Sequence, residues 1–289
     1  MQEVEILEQR LRAAQNSDGG WSYHGGGKSW TEPTAMSLLA LSVRGRTDAE
    51  LNRARHWLLD RQRADGGWAP NPVVDTSTWV TSLAVLALQR AGWPMKARKA
   101  GCEWLVGQAP ATNSWLYRLL EKLQPASART TQGGTPWYPG TAAWIGPTVF
   151  SVLALRSLSE NTSDYRIQEF IEASRDYLLS RRCKDGGWNH GGSRYRSENS
   201  WSYPEMTGLA LLAFPPNPGE WLRKSVARAQ EHLAAPESMQ ALCWLQVGLA
   251  YHNITIADVS DSLACRTYED VWLRLLALRA TRGERPLAQ

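Results

Sequence analysis

The sequence predicts an all-α protein of six helix pairs closed into a double ring, an α6/α6 toroid, and three observations predict it. A turn motif recurs as Gln15-Asn-Ser-Asp-Gly-Gly-Trp21, Gln62-Arg-Ala-Asp-Gly-Gly-Trp68 and Arg182-Cys-Lys-Asp-Gly-Gly-Trp188. A second element recurs as a Thr followed six residues later by Ala and then Leu or Phe: Thr34 with Ala40-Leu41, Thr81 with Ala87-Leu88, Thr148 with Ala154-Leu155, and Thr207 with Ala213-Phe214. From first to second copy both elements shift by the same 47 residues (15 to 62, 34 to 81), which marks a true repeat. Third, the helical segments alternate in character. An amphipathic, charged one is followed by one apolar on most sides, and the second kind must be buried beneath the first.

Taken in order, the amphipathic outer helices are expected at 3–15, 48–63, 95–108, 165–182, 218–233 and 255–264. The apolar inner helices are expected at 31–44, 76–91, 146–158, 203–214, 237–251 and 268–280. Between them the paired glycines supply the left-handed backbone that ends an outer helix. The Gln or Arg before them can reach free backbone groups at helix ends, and the Trp then stacks on that side chain or on the next helix. Trp21, Trp68 and Trp188 accordingly read as residues of stability that staple neighbouring repeats. Residues 109–142 break the rhythm. They read as an insertion whose stripe of Trp115, Leu116, Leu119 and Leu120 packs on the rim, or forms a lid or membrane-touching element beside a cavity mouth. The toroid spans 1–280 as a single domain, and 281–289 read as a polar tail.

Composition narrows the function classes. There are 15 Trp against 3 Phe, so Trp is used where its flat face or N–H matters, in a repeated structural motif or a cavity lining. The net charge of +4 is spread along the chain, with Arg53–Arg63 and Arg181–Lys184 reading as solvated helix faces, and no dense basic surface points to nucleic acid. Cys102, Cys183, Cys243 and Cys265 lack CxxC spacing and read as buried free thiols. The N-terminus opens on the charged helix Glu3–Arg12 and not on a secretory signal, and no apolar run is long enough to span a bilayer. The expectation is a cytoplasmic protein, with peripheral membrane contact, a homodimer or a partner subunit left open.

The Gln-x-x-x-Gly-x-Trp pattern, preceded by aromatic-aliphatic pairs such as Trp57-Leu58 and Tyr177-Leu178, resembles the QW repeat of squalene-hopene and oxidosqualene cyclases. That resemblance covers about residues 5–215 and points to the terpenoid cyclase and protein prenyltransferase superfamily as a whole. In class II cyclases an Asp-x-Asp-Asp-Thr motif opens one inner helix, and its middle Asp protonates the substrate. Aligned on the repeated Thr, the equivalent positions here are Glu32, Trp79, Gly146 and Glu205, so the full motif is absent. Prenyltransferase β subunits, which match as single toroids, need a zinc site of Asp, Cys and His. Here five His and four Cys show no metal-ligand spacing, and no Asp-Asp-x-x-Asp pair is present for magnesium. No metal and no cofactor are expected.

Inner-helix starts carry acids: Glu32, Asp75, Glu205, Glu237 and Glu269-Asp270. A carboxylate there caps the helix and complements its dipole, and Asp75 in Asp-Thr-Ser-Thr reads best as such a cap. The functional reading rests on the company the acids keep. A carboxyl buried among aromatic rings stays protonated, and a neutral acid beside π faces can protonate an alkene and stabilise the carbocation. The candidate acids are Glu32, Glu205 and Asp75, and the candidate ligand-facing rings are Trp30, Trp79, Trp144, Trp201, Tyr203 and Trp272. The expected ligand is an isoprenoid or similar hydrophobic molecule in an aromatic central cavity, cyclised or isomerised by acid, and an apolar cavity of several hundred Å3 with one buried acid would support that expectation. The alternatives are a non-catalytic isoprenoid- or lipid-binding toroid and a protein-interaction toroid. The latter resembles complement thioester domains, whose Gly-Cys-Gly-Glu-Gln element is absent here.

Overall fold

The computed structural model describes residues 2–42, 48–92, 95–108, 133–159, 164–191, 199–216, 219–256 and 263–287. Among them six inner helices follow one another around a ring: α2 (Thr31–Leu41), α4 (Val80–Arg90), α6 (Ile145–Ser159), α8 (Pro204–Leu211), α10 (Met239–Tyr251) and α11 (Tyr268–Thr281). Each packs on the next and α11 packs on α2, so the ring is closed. Outside lie α1 (Gln2–Ala13), α3 (Ala49–Leu59), α5 (Met95–Val106), α7 (Tyr165–Ser180) and α9 (Glu220–Leu233). The α1 helix packs on α11, α3 on α2, α5 on α4, α7 on α6, and α9 on both α8 and α10. A short hairpin, β1 (Thr135–Pro136) with β2 (Ala143–Trp144), precedes α6. The fold is an α/α toroid.

Burial follows the alternation in the sequence. Every residue of α2 except Glu32 is buried, and every residue of α4 except Arg90, whereas α1 buries only Leu7 and Leu11. Two boundaries differ from the reading of the sequence. The α4 helix begins at Val80 with Trp79 in the N-cap position, so Asp75 does not cap it. Of the sixth outer helix expected at 255–264, residues 257–262 lie outside the described residues, and 254–256 and 263–266 carry no regular secondary structure.

The turns show why their residues recur. The indole N–H of Trp21, Trp68 and Trp188 donates to Leu11 O, Leu58 O and Leu178 O, each at 2.7 Å. These carbonyls belong to the last turns of outer helices, where each otherwise accepts only a tightened i→i+3 backbone bond, from Ala14 (3.2 Å), Arg61 (3.2 Å) and Arg181 (3.1 Å). The backbone N–H of the same tryptophans donates to Thr34 Oγ1 (2.9 Å), Thr81 Oγ1 (2.9 Å) and Thr207 Oγ1 (3.1 Å). The Trp and Thr motifs are therefore two ends of one hydrogen bond. Neighbouring repeats are linked by the Trp68 ring, which lies against Gly101 of the next outer helix, and by further residues of the turns. The amides of Gln15 and Gln62 donate to Glu50 O (2.9 Å) and Ala97 O (2.8 Å) in the first turn of the next outer helix. Asp18 and Asp65 accept the indole N–H of Trp57 (2.8 Å) and Trp104 (3.2 Å) from that helix.

The two glycines of each turn have different reasons. Gly19, Gly66 and Gly186 have φ of +92°, +89° and +98°, which side chains rarely adopt. Gly20 and Gly67 have no room, since an added Cβ would lie 2.6 Å from Ser29 Cβ or Ser77 Cβ.

A further copy of the turn emerges at residues 133–135, inside the stretch read as insertion. Thr135 N donates to Thr148 Oγ1 at 2.8 Å, across the same 13 residues that separate Trp21 from Thr34 and Trp68 from Thr81. Thr135 thus stands where the other copies have Trp. Residues 109–132, with the Trp115, Leu116, Leu119 and Leu120 stripe, lie outside the described residues.

Three further contacts fix the ring. The α8 and α10 backbones meet directly, since a Cβ on Gly248 would lie 2.2 Å from Gly208 O. At the seam, buried Arg274 on α11 binds Glu3 of α1 at 2.9 Å and Gln246 at 3.2 Å, and buried Arg279 pairs with Glu8 and with Glu284 at 3.2 Å. The terminal segment read as a polar tail also joins the core through buried Leu287. Arg55 and Arg181, expected on solvated faces, are buried, the latter with its guanidinium 5.1 Å from the Tyr177 ring centroid. No described helix is long and apolar enough to cross a membrane.

Candidate functional site

The inner helices begin at one end of the ring, and their first two turns enclose a cavity of about 220 Å3. The volume falls short of several hundred Å3, because large side chains fill much of the hub. Lining comes from Glu32 and Met36 of α2, Trp79 at the start of α4, and Trp144, Gly146 and Phe150 at α6. On the other side stand Met206 and Leu209 of α8, Gln240 and Trp244 of α10, and Glu269, Trp272 and Leu273 of α11. Trp137 and His190 reach in from the loops. The helical residues follow one rule. The pairs 32/36, 146/150, 240/244 and 269/273 are each spaced i, i+4, which puts both members on one helix face.

Glu32 is the most constrained acid. The Tyr23 hydroxyl donates to its Oε2 at 2.5 Å. Burial pushes its pKa from the ordinary 4.5 up to about 7; the Tyr23 hydrogen bond opposes that rise, and the negative charge of Glu269 adds to it. The Tyr23 phenol is itself pushed up by burial and by the Glu32 charge, so it remains a donor. Glu269 is half-buried and shifted upward by burial and by neighbouring Asp270, and the Gln240 amide donates to its Oε1 at 3.4 Å.

Around the acids runs an aromatic wall. Trp79 meets Trp137 edge-on with ring centroids 4.7 Å apart and lies 5.9 Å from Phe150, which in turn lies 5.8 Å from Trp244. Tyr23 touches Trp30 at 5.6 Å and Trp272 at 6.4 Å, so the residue that orients Glu32 also packs on the ring seam.

Of the residues singled out from sequence, the structure gathers Glu32, Trp79, Trp144 and Trp272 around this cavity. Trp30 stands beside it, lining a shallower surface depression of about 560 Å3. Glu205 is half-buried at the start of α8 and outside the lining, although its neighbour Met206 is within it. Asp75 lies on the surface, its carboxylate 2.7 Å from Arg63 Nη2. Trp201 is 62% exposed with Lys184 Nζ 4.0 Å from its ring centroid, and Tyr203 is 46% exposed with its ring 5.2 Å from that of His190. Sequence reasoning did not single out Tyr23, Trp137, Phe150, His190, Gln240 or Trp244. Phe150 was within reach, two residues after Thr148 as Met36 is two after Thr34. Trp244 was not, since α10 lacks the Thr that sets the register.

Among the described residues no group of three or more His, Cys, Asp or Glu side chains is placed to hold a metal ion. No family model and no curated protein matches the chain by sequence. Solved structures do match. A GH8 endo-β-1,4-glucanase from an Achatina fulica gut metagenomic library superposes with a TM-score of 0.63 at 15% identity, over 98% of both chains. The endo-β-1,4-glucanase CMCax from Acetobacter xylinum gives 0.58 at 14% identity, again over 98% of both. The type II terpene cyclase MstE from Scytonema, bound to geranylgeranyl dihydroxybenzoate, gives 0.54 at 18% identity over 99% of this chain and 79% of that one. At such identities the likeness is one of fold: this chain shares the α/α toroid of type II terpene cyclases and of glucanases.

Proposed function

We propose that the cavity binds a short isoprenoid or similar hydrophobic alkene and that Glu32 protonates it, as an acid-initiated isomerase or cyclase. The observation that carries this reading is a carboxyl group held protonated near neutrality against a wall of tryptophans. Tyr23 donates to Oε2 and so leaves the other carboxyl oxygen to carry the proton. Transfer of that proton to one alkene carbon leaves a cation on the other, and the faces of Trp79, Trp244 and Trp272 lower its energy. Loss of a proton from a neighbouring carbon to a carboxylate then restores the acid and yields a shifted or ring-closed alkene. Trp144 completes the set of lining rings proposed to meet the ligand, with Trp30 beside the cavity, and Glu205, next to the lining residue Met206, is the secondary candidate for the acid. The cavity volume of about 220 Å3 favours a short chain, being below the ~300–1,000 Å3 of pockets for drug-sized ligands.

The test is to incubate the protein with short and long isoprenoid alkenes and follow products by mass spectrometry. Turnover is expected with short chains, falling as pH rises past about 7, where Glu32 loses its proton. Full activity in the Glu32→Gln, Glu205→Gln double variant would overturn the assignment. Release of reducing ends from a β-1,4-glucan would instead direct attention to Glu32 and Glu269 as a carboxyl pair acting on a glycosidic bond.

A further inference from the structure

The cavity combines two features that together suit a ligand that is positively charged from the outset. One is the aromatic wall of Trp79, Trp137, Phe150 and Trp244 on and beside α4, α6 and α10, with ring centroids 4.7–5.9 Å apart. The other is a pair of carboxyl groups on the two helices that meet at the seam, Glu32 of α2 and Glu269 of α11. No Lys or Arg stands among the described lining residues. A phosphorylated or carboxylate ligand would meet two carboxyl groups and the negative faces of the rings, with only His190 and the Gln240 amide as polar side chains to set against them. A hydrocarbon gives no partner to the second carboxyl group, Glu269.

We infer that the cavity is a binding site for a small organic cation of the tertiary or quaternary ammonium class. Such a cation has no strong hydration shell to lose, is held by π faces in an aromatic cage, and is attracted by both carboxyl groups, its single charge balancing one of them. The volume of about 220 Å3 accommodates a compact head group. This site shares its walls with the proposed function but needs the opposite protonation state, with Glu32 ionised. The groups facing Glu32 are the Tyr23 hydroxyl and Glu269, with Asp270 behind the latter and His190 on the cavity wall.

Choline and its uncharged carbon isostere, 3,3-dimethylbutan-1-ol, separate charge from shape. Binding is read by quenching of tryptophan fluorescence and by calorimetry. At pH about 8, above the Glu32 value of about 7, choline is expected to bind about tenfold more tightly than the isostere. The preference is expected to shrink at pH about 6. Glu269→Gln, at a half-exposed position that leaves the fold intact, is expected to weaken choline several-fold without changing the isostere. Glu32→Gln, checked for native circular dichroism, is expected to do the same and to abolish the pH dependence. Equal binding of the two compounds, binding of neither, or a preference that survives both substitutions would overturn the inference. Failure of the acid-catalysis reading shows instead as absent alkene turnover, and leaves the choline measurement untouched.

Discussion

Trp68 and Trp137 are the same side chain in two environments. Trp68 is fully buried in a repeat turn, with its indole N–H on Leu58 O and its backbone N–H on Thr81. Trp137 is 38% exposed at the cavity, touching Trp79 edge-on, and the equivalent position of the other turns holds Tyr23, Pro70 or His190. The turn tryptophans recur because each ends an outer helix in the same way. The cavity residues sit at positions that recur, but the residue type changes from copy to copy, because six helices facing a common space must present different surfaces for that space to have chemistry. Repetition in this chain marks what holds the ring, and departure from it marks what faces the hub.

The sharpest way to break that comparison is Trp68→Ala. It removes a fully buried indole and its hydrogen bond to Leu58 O, and a loss of roughly 3–5 kcal/mol is expected from urea unfolding. A loss under about 1 kcal/mol would mean that the turn is not the structural element argued here.

The second prediction concerns the one residue of α2 that is not fully buried. The pKa of Glu32 is raised in the fold, so between about 4.5 and about 7 the native state binds a proton that the unfolded chain has released. Stability therefore falls as pH rises through that window and levels off above it. At ~1.4 kcal/mol per pKa unit, the drop is on the order of 3 kcal/mol relative to Glu32→Gln, which has no such proton. Parallel unfolding curves of the two proteins at pH about 5 and about 8 decide it.

How much of this was legible follows the same division. The ring was legible because the 47-residue offset and the all-apolar inner segments are statements about packing. The 133–135 turn was hidden, because Thr135 replaces the Trp that advertises the other copies, while its backbone bond to Thr148 is unchanged. Asp75 looked like a cap because a carboxylate precedes an apolar run, yet the chain spends four more residues before α4 begins at Val80. At the site, Glu32 was found through its register with the repeated Thr. Glu205 holds the same register but lies outside the cavity lining, where Met206 and Leu209 of the same helix stand. Tyr23 and His190 were within reach of the register, each two residues after a repeat Trp, whereas Trp137, two after Thr135, was hidden together with its turn. They come from turns, and only the closed ring brings them to the hub.

Close approach of α8 and α10 supplies a third, smaller test. Gly248→Ala would push a methyl group to within 2.2 Å of Gly208 O, and the helices must separate to admit it. A loss of roughly 1–3 kcal/mol is expected by thermal or urea unfolding. Because Gln240 and Trp244 of α10 line the cavity, ligand affinity should fall with it. Loss of stability with affinity retained would mean that the strain relaxes away from the hub.

Trp137→Ala carries the smallest expected change in stability and says most about the comparison. Its ring is partly in solvent, and its packing energy beyond buried area is mainly the edge contact with Trp79, worth roughly 0.5–1.5 kcal/mol. Stability should therefore fall by only about 1 kcal/mol. Ligand binding, whether of a short alkene or of choline, should fall several-fold, because one face of the cavity is gone. The two readouts thus order the variants in opposite ways: Trp68→Ala costs stability first, and Trp137→Ala costs affinity first. If Trp137→Ala lowered stability as much as Trp68→Ala while leaving affinity unchanged, the cavity rings would be core residues like any others, and the distinction between repeated and unrepeated tryptophans would lose its functional meaning.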